Sequence, residues 1–98
     1  LAARAAQQGP PPARMPVAIA PGAIPDPESE GARLLQRHCV GCHGIPDPAQ
    51  HPAARWPASL AEMERRMHAA PMRAVPIPTR EGWQVLKAYL QAHAADRR

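Results

Sequence analysis

The sequence predicts an all-α domain that follows an irregular, proline-rich N-terminal arm. Apolar residues recur at three- and four-residue steps in three separate stretches, and no stretch alternates apolar and polar residues as a half-buried strand would. Seven prolines fall between Gln7 and Pro27, and proline donates no backbone hydrogen bond and keeps the preceding residue extended. We therefore divide the 98 residues into a proline-rich arm or linker over 1–27 and one domain over 28–98.

The arm has two interpretations. A proline-rich segment is semi-rigid rather than helical, so the arm could be a disordered leader. Alternatively, it could cross the domain as a strap, or contact a partner subunit, through its larger apolar side chains. These are Met15, Val17, Ile19 and Ile24.

The first helix is predicted to begin near Asp26. Its side chain can cap the helix, and Pro27 suits the first helical position. The helical run over Glu28–His38 then leads directly into Cys39.

Two further helices follow from periodicity and capping. The second is predicted over Pro57–Ala70, where one apolar stripe recurs at helical spacing. The stripe consists of Leu60, Met63, Met67 and Ala70. A loop broken by three prolines follows, and the third helix is predicted from a cap at Thr79 to about Ala94. Its buried face is predicted to consist of Trp83, Leu86, Leu90 and His93, flanked by Val85 and Tyr89.

The attachment motif, residues 39–43, carries the chemistry of the chain. Cys39 and Cys42 are three positions apart and His43 follows directly, which is the pattern of covalent haem attachment. Each thiol would form a thioether with a haem vinyl group, and the imidazole would be an axial ligand of the iron. Zinc or thiol redox chemistry is the alternative, but zinc would need a second ligand pair and the chain has no third cysteine.

Composition agrees with a bound prosthetic group. The chain has no Phe, two Trp and one Tyr, and a domain of this size has a marginal core. A haem would supply the missing apolar surface. We therefore expect the apoprotein to be largely unfolded.

The formal charge of +4 and the pI of about 10.0 predict a basic surface. Lys87 is the only lysine and the arginines are scattered among acidic residues, which argues against nucleic-acid binding. A solvated surface and a docking surface for an acidic redox partner are both compatible with this pattern. Haem attachment of this kind takes place outside the cytoplasmic membrane. We therefore expect an exported, periplasmic protein with its signal peptide not in the given sequence and with no membrane span.

Over residues 30–94 the chain resembles a class I c-type cytochrome, a compact three-helix fold around one covalent haem. The family has a glycine eight residues before the first cysteine and a large apolar residue four before it, here Gly31 and Leu35. The resemblance implies that the glycine lets the last helix cross close to the first, at an aromatic that Tyr89 matches.

The resemblance also implies the remaining site residues. Trp56 matches a tryptophan that bonds a haem propionate, and Arg55 or Arg73 could assist by charge. Met72 lies 17 residues before Tyr89, the usual position of the sixth iron ligand. The axial ligands are therefore expected to be His43 and Met72.

Alternatives to Met72 stay open on sequence grounds. Met67, then Met63, could ligate iron from the second helix, although a methionine at helical spacing is more often a core residue. Three histidines follow as weaker candidates: His51, His68 and His93. The second ring nitrogen of His43 should donate to the carbonyl of Pro46 or Pro48.

These residues predict one-electron transfer rather than catalysis. Twelve residues separate His43 from Trp56, a short connection that would leave a haem edge exposed for outer-sphere transfer. The chain would be a soluble carrier, or the cytochrome subunit of a periplasmic oxidoreductase, docking to a redox donor and acceptor. The alternatives are a haem with a labile distal ligand that binds small gases or does catalysis, and a zinc-binding module.

Overall fold

The fold is mostly helical in the computed structural model, which describes residues 18–39, 44–70 and 75–97. Its main helices are α1 (Glu30–Cys39), α2 (Trp56–Ala69) and α3 (Arg80–Ala92). The predicted all-α class and three-helix order are confirmed within these ranges. No helix among the residues described has both the length and the apolar character needed to cross a membrane.

The start of α1 differs from the prediction. Ser29, not Asp26, caps the helix: its hydroxyl accepts from the N–H of Ala32 at 3.2 Å. Asp26 has a φ of 43°, in the left-handed region, and its carbonyl accepts from the Ser29 N–H at 2.9 Å. The proline at 27 therefore lies in a turn before the helix, and α1 begins at Glu30.

Helix α2 buries only the first part of its apolar stripe. Trp56 and Leu60 are buried, Met63 is half-buried against the core, and Met67 is half-buried. Ala70, predicted to face inward, is exposed.

Helix α3 begins as predicted, because the Thr79 hydroxyl accepts from the N–H of Gly82 at 3.0 Å. Its buried face is rotated from the predicted one. The side that faces the core consists of Gly82, Leu86, Tyr89 and Leu90, whereas Trp83 and His93 are half-buried.

Part of the proline-rich arm packs on the helices. Ala18–Ile19 forms a two-residue antiparallel strand, β1, with Ile45–Pro46, β2; the sequence pattern did not predict this pairing. Ile24 is buried in the core, and the carbonyl of Pro25 accepts from the Tyr89 hydroxyl at 2.6 Å. The strap interpretation therefore describes residues 18–27, while residues 1–17 lie outside the described part.

The connection before α2 is fixed by the C-terminal end of the chain. It contains two short 3-10 turns, Pro48–Gln50 and Ala53–Arg55. The N–H of Ala53 donates to the carboxylate of Asp96 at 2.8 Å, and its carbonyl accepts from the Gln91 side chain at 3.0 Å. These bonds hold the short stretch between the attachment motif and Trp56.

Candidate functional site

The attachment motif begins where α1 ends. Cys39 is the last residue of α1 and is half-buried, with its side chain packed against the core. Cys42 and His43 lie outside the described residues, as does Met72. The site is therefore built here from the segments that flank these residues.

Helix α1 is held against α3 by a very close crossing. A Cβ added to Gly31 would lie 2.3 Å from the Cβ of Tyr89 and 2.5 Å from its Cγ. No side chain fits there, so only glycine permits this approach of the two helices. The close contact expected between Gly31 and Tyr89 is present, and it orients the helix that ends at Cys39.

A second contact joins the end of α1 to the loop before α3. The Nδ1 of His38 lies 2.6 Å from the carbonyl oxygen of Pro76, which is 38 positions later in the sequence. His38 is 8% exposed, and Pro76 follows Met72 by four positions. This bond therefore joins the end of α1, which leads to Cys42 and His43, to the loop that follows Met72.

Trp56 is completely buried, and its indole N–H donates to the carbonyl of Pro48 at 3.0 Å. The ring of His51 meets it edge-on, with centroids 4.9 Å apart. A bond from Trp56 to a haem propionate stays a prediction; it would have to share or replace the bond to Pro48. The same carbonyl was one of the two acceptors expected for His43.

The weaker ligand candidates have partners elsewhere. His93 Nε2 lies 3.2 Å from the carboxylate of Asp26, and His68 lies 3.8 Å from Glu64 on the exposed side of α2. Burial, followed by the positive charge of Arg55, lowers the pKa of His51. None of these contacts favours a histidine as the distal ligand.

Sequence reasoning missed the role of His38, next to the attachment motif, and the buried indole nitrogen of Trp83 on α3. His38 follows Gly31 by seven positions and Leu35 by three, so helical periodicity would have placed it on the inward face. Trp83 has an indole nitrogen that is buried and, among the described residues, has no hydrogen-bond partner. Nothing in the sequence distinguished that nitrogen from the one in Trp56.

Tyr89 gives the helix crossing a pH dependence. Burial, followed by the negative charge of Asp26, raises the pKa of Tyr89 to about 12, against about 10 in an unfolded chain. The neutral phenol is thus favoured in the fold, and its contribution to stability is present below about pH 10 and lost as the pH rises through about 12. We expect Tyr89→Phe to lower the free energy of unfolding by about 1 kcal/mol at neutral pH, through loss of the bond to Pro25.

Denaturant titrations of both proteins across that pH range test this expectation. The difference between wild type and Tyr89→Phe should shrink as the pH rises from about 10 to about 12. A difference in unfolding free energy that stays constant over this range would contradict the raised pKa of Tyr89.

Within 18–39, 44–70 and 75–97, no three His, Cys, Asp or Glu residues are grouped so that they could hold a metal ion. This statement does not extend to Cys42 and His43, so the zinc alternative stays untested. Comparison of the chain with protein-family models, with curated proteins and with solved structures found no match.

Proposed function

We propose that this chain is a one-electron carrier with one haem c, attached through Cys39 and Cys42, and with His43 and Met72 as axial ligands. One observation carries the proposal: the helix that ends at Cys39 is held between a glycine-mediated crossing and the loop that follows Met72. The crossing joins Gly31 to Tyr89, and the loop contact joins His38 to Pro76. The end of α1 and the loop that follows Met72 are therefore joined directly.

Half-buried apolar side chains on α2 support a bound prosthetic group. Helix α2 has apolar surface that the rest of the fold covers only in part, since Met63 and Met67 are half-buried while Leu60 is buried. A porphyrin face could cover such surface. Half-burial also keeps Met67, then Met63, as alternative distal ligands.

The protein's own residues would fix the geometry of the site. When bound, the haem supplies an iron that exchanges one electron, and a thioether ligand favours its reduced form. The two thiols would anchor the macrocycle to the end of α1. The fully buried Leu35, Leu86 and Leu90 hold α1 and α3 rigidly, and the short connection to Trp56 would leave a haem edge near the surface for a partner.

The charge distribution supports docking to an acidic partner. All eight acidic residues of the chain fall in the described ranges, where eight basic residues balance them. Two of the eight basic residues, Arg65 and Arg66, donate to the carboxylate of Glu62 on the same helix. The excess positive charge comes from Arg4, Arg14, Arg73 and Arg98.

Arg73 is adjacent to Met72, so one of the four excess charges belongs to the proposed ligand segment. A small, salt-sensitive contact there would suit a transient redox complex. We propose the periplasm as the compartment, and either a free carrier or the cytochrome subunit of an oxidoreductase as the setting.

Absorption spectra of the purified native protein test the proposal. We expect a Soret band, and in the oxidised protein the weak band at the red end of the spectrum that is diagnostic of sulfur on iron. Met72→Ala should abolish the weak band, and the matched variant Met67→Ala should keep it. Loss of the band in Met67→Ala alone would assign the distal ligand to Met67 on α2 instead of Met72.

Carbon monoxide separates electron transfer from the gas-binding alternative. A six-coordinate iron with methionine bound has no open position, so the reduced wild type should refuse carbon monoxide at neutral pH. Binding by the wild type would contradict the carrier function. A purified protein without a Soret band would contradict haem attachment altogether.

A further inference from the structure

We propose that His38 is a positioning residue for the distal iron ligand: its bond to Pro76 ties the loop that follows Met72 to the end of α1. The inference rests on the proposed function, because that function names Met72 as the ligand. It assigns a role to a residue outside the attachment motif and outside the expected ligand set.

The bond is short, and its donor residue is buried while its acceptor residue is exposed. His38 Nδ1 lies 2.6 Å from the Pro76 oxygen, and His38 is the one buried polar residue found among the described residues. A carbonyl can only accept, so Nδ1 carries the proton and donates. Loss of the donor would release Pro76, an exposed residue, from the end of α1.

The loop depends on contacts of this kind. Pro76 and Pro78 have no N–H to donate, and Val75 before them is in a β-bridge. Val75 and Pro78 are buried on either side of Pro76, and Thr79 caps α3. The bond to His38 ties this stretch to α1.

The bond joins two residues that lie close in sequence to proposed haem-binding residues. His38 directly precedes Cys39, so one end of the bond is next to a haem attachment point. Pro76 is four residues from Met72, so the other end limits how far the loop can move from that point. We infer that this tie restricts the positions that Met72 can take relative to an iron bound at the attachment motif.

Two substitutions of similar size separate the hydrogen bond from packing. In His38→Asn the side-chain amide nitrogen takes the place of Nδ1 and can still donate to Pro76. In His38→Gln the amide lies farther out, near the place of Nε2, and cannot donate along the same line. His68→Gln, at an exposed position of α2, is the matched control.

The measurements are made on the holoprotein of each variant. We expect His38→Gln to weaken the sulfur–iron band in the oxidised state and to let the reduced state bind carbon monoxide at neutral pH, where the wild type does not. His38→Asn and His68→Gln should both resemble the wild type. Denaturant unfolding of each holoprotein, followed by far-ultraviolet circular dichroism, is the readout that does not depend on the iron.

The outcomes distinguish this inference from the proposed function. A wild type without a Soret band or without the sulfur–iron band overturns the proposed function. A wild type with both bands, together with His38→Gln that keeps the band and refuses carbon monoxide, overturns only the role of His38. Lower unfolding free energy in His38→Gln with unchanged iron readouts would likewise overturn it, by showing a merely structural residue.

Discussion

Gly31→Val will lower the free energy of unfolding by about 3 kcal/mol or more. The new Cβ would lie 2.3 Å from the Cβ of Tyr89, an atom fixed to the α3 backbone, so no side-chain rotation can relieve the overlap. The helices must separate, and the fully buried Leu35 and Leu86 between them would lose contacts. For a domain whose total stability is about 5–15 kcal/mol, this is a large fraction.

Chemical denaturation of Gly31→Val and of a matched glycine variant measures the effect. Gly22→Ala is the control, since a Cβ at Gly22 has no heavy atom within 4 Å, and it should change the stability by less than about 0.5 kcal/mol. Because α1 ends at Cys39, Gly31→Val should also lower the yield of haem-loaded protein. Equal stability of the two variants would contradict the close contact between Gly31 and Tyr89.

Under the proposed function, the double variant Cys39→Ala/Cys42→Ala will lose the haem and most of its helical signal. The buried apolar residues described include only two aromatics, Trp56 and Tyr89, and three of the others are alanines. So small a core offsets little of the conformational entropy of folding. Binding of the haem would then be coupled to folding, as in small metal-dependent domains.

Far-ultraviolet circular dichroism at equal concentration compares this double variant with the wild type. His68→Ala, which keeps both thiols and changes an exposed side chain, should retain the Soret band and native helicity. Native-like helicity in the double variant would show that the helices fold without the haem, and would contradict the coupling.

The helices were predictable because local patterns define them. Apolar spacing and the cap at Thr79 placed α2 and α3 to within a residue or two at most ends. The predicted start of α1 was wrong because Asp26 and Ser29 are both residues that cap helices well. Only the backbone of the folded chain shows that Asp26 adopts a left-handed φ. The face of α3 was misjudged because Tyr89 and His93 are both amphipathic, and burial depends on what packs against them.

The candidate site likewise has features that the sequence predicts and features that only the structure gives. Its covalent chemistry follows from the spacing of Cys39, Cys42 and His43, which is a property of the chain alone, and these residues remain predictions until a spectrum is measured. The contact between Gly31 and Tyr89 was expected from resemblance, and the structure gives its distance.

Sequence by itself therefore determined the helical class, the attachment motif and the candidate ligands, because these depend on neighbours along the chain. Only the tertiary structure decided that residues 18–27 pack on the helices, that Trp56 donates to Pro48, and that His38 binds Pro76. Each of these joins residues at least eight positions apart. The partner of a buried donor is set by which acceptor the folded chain brings within about 3 Å, and no local pattern contains that information.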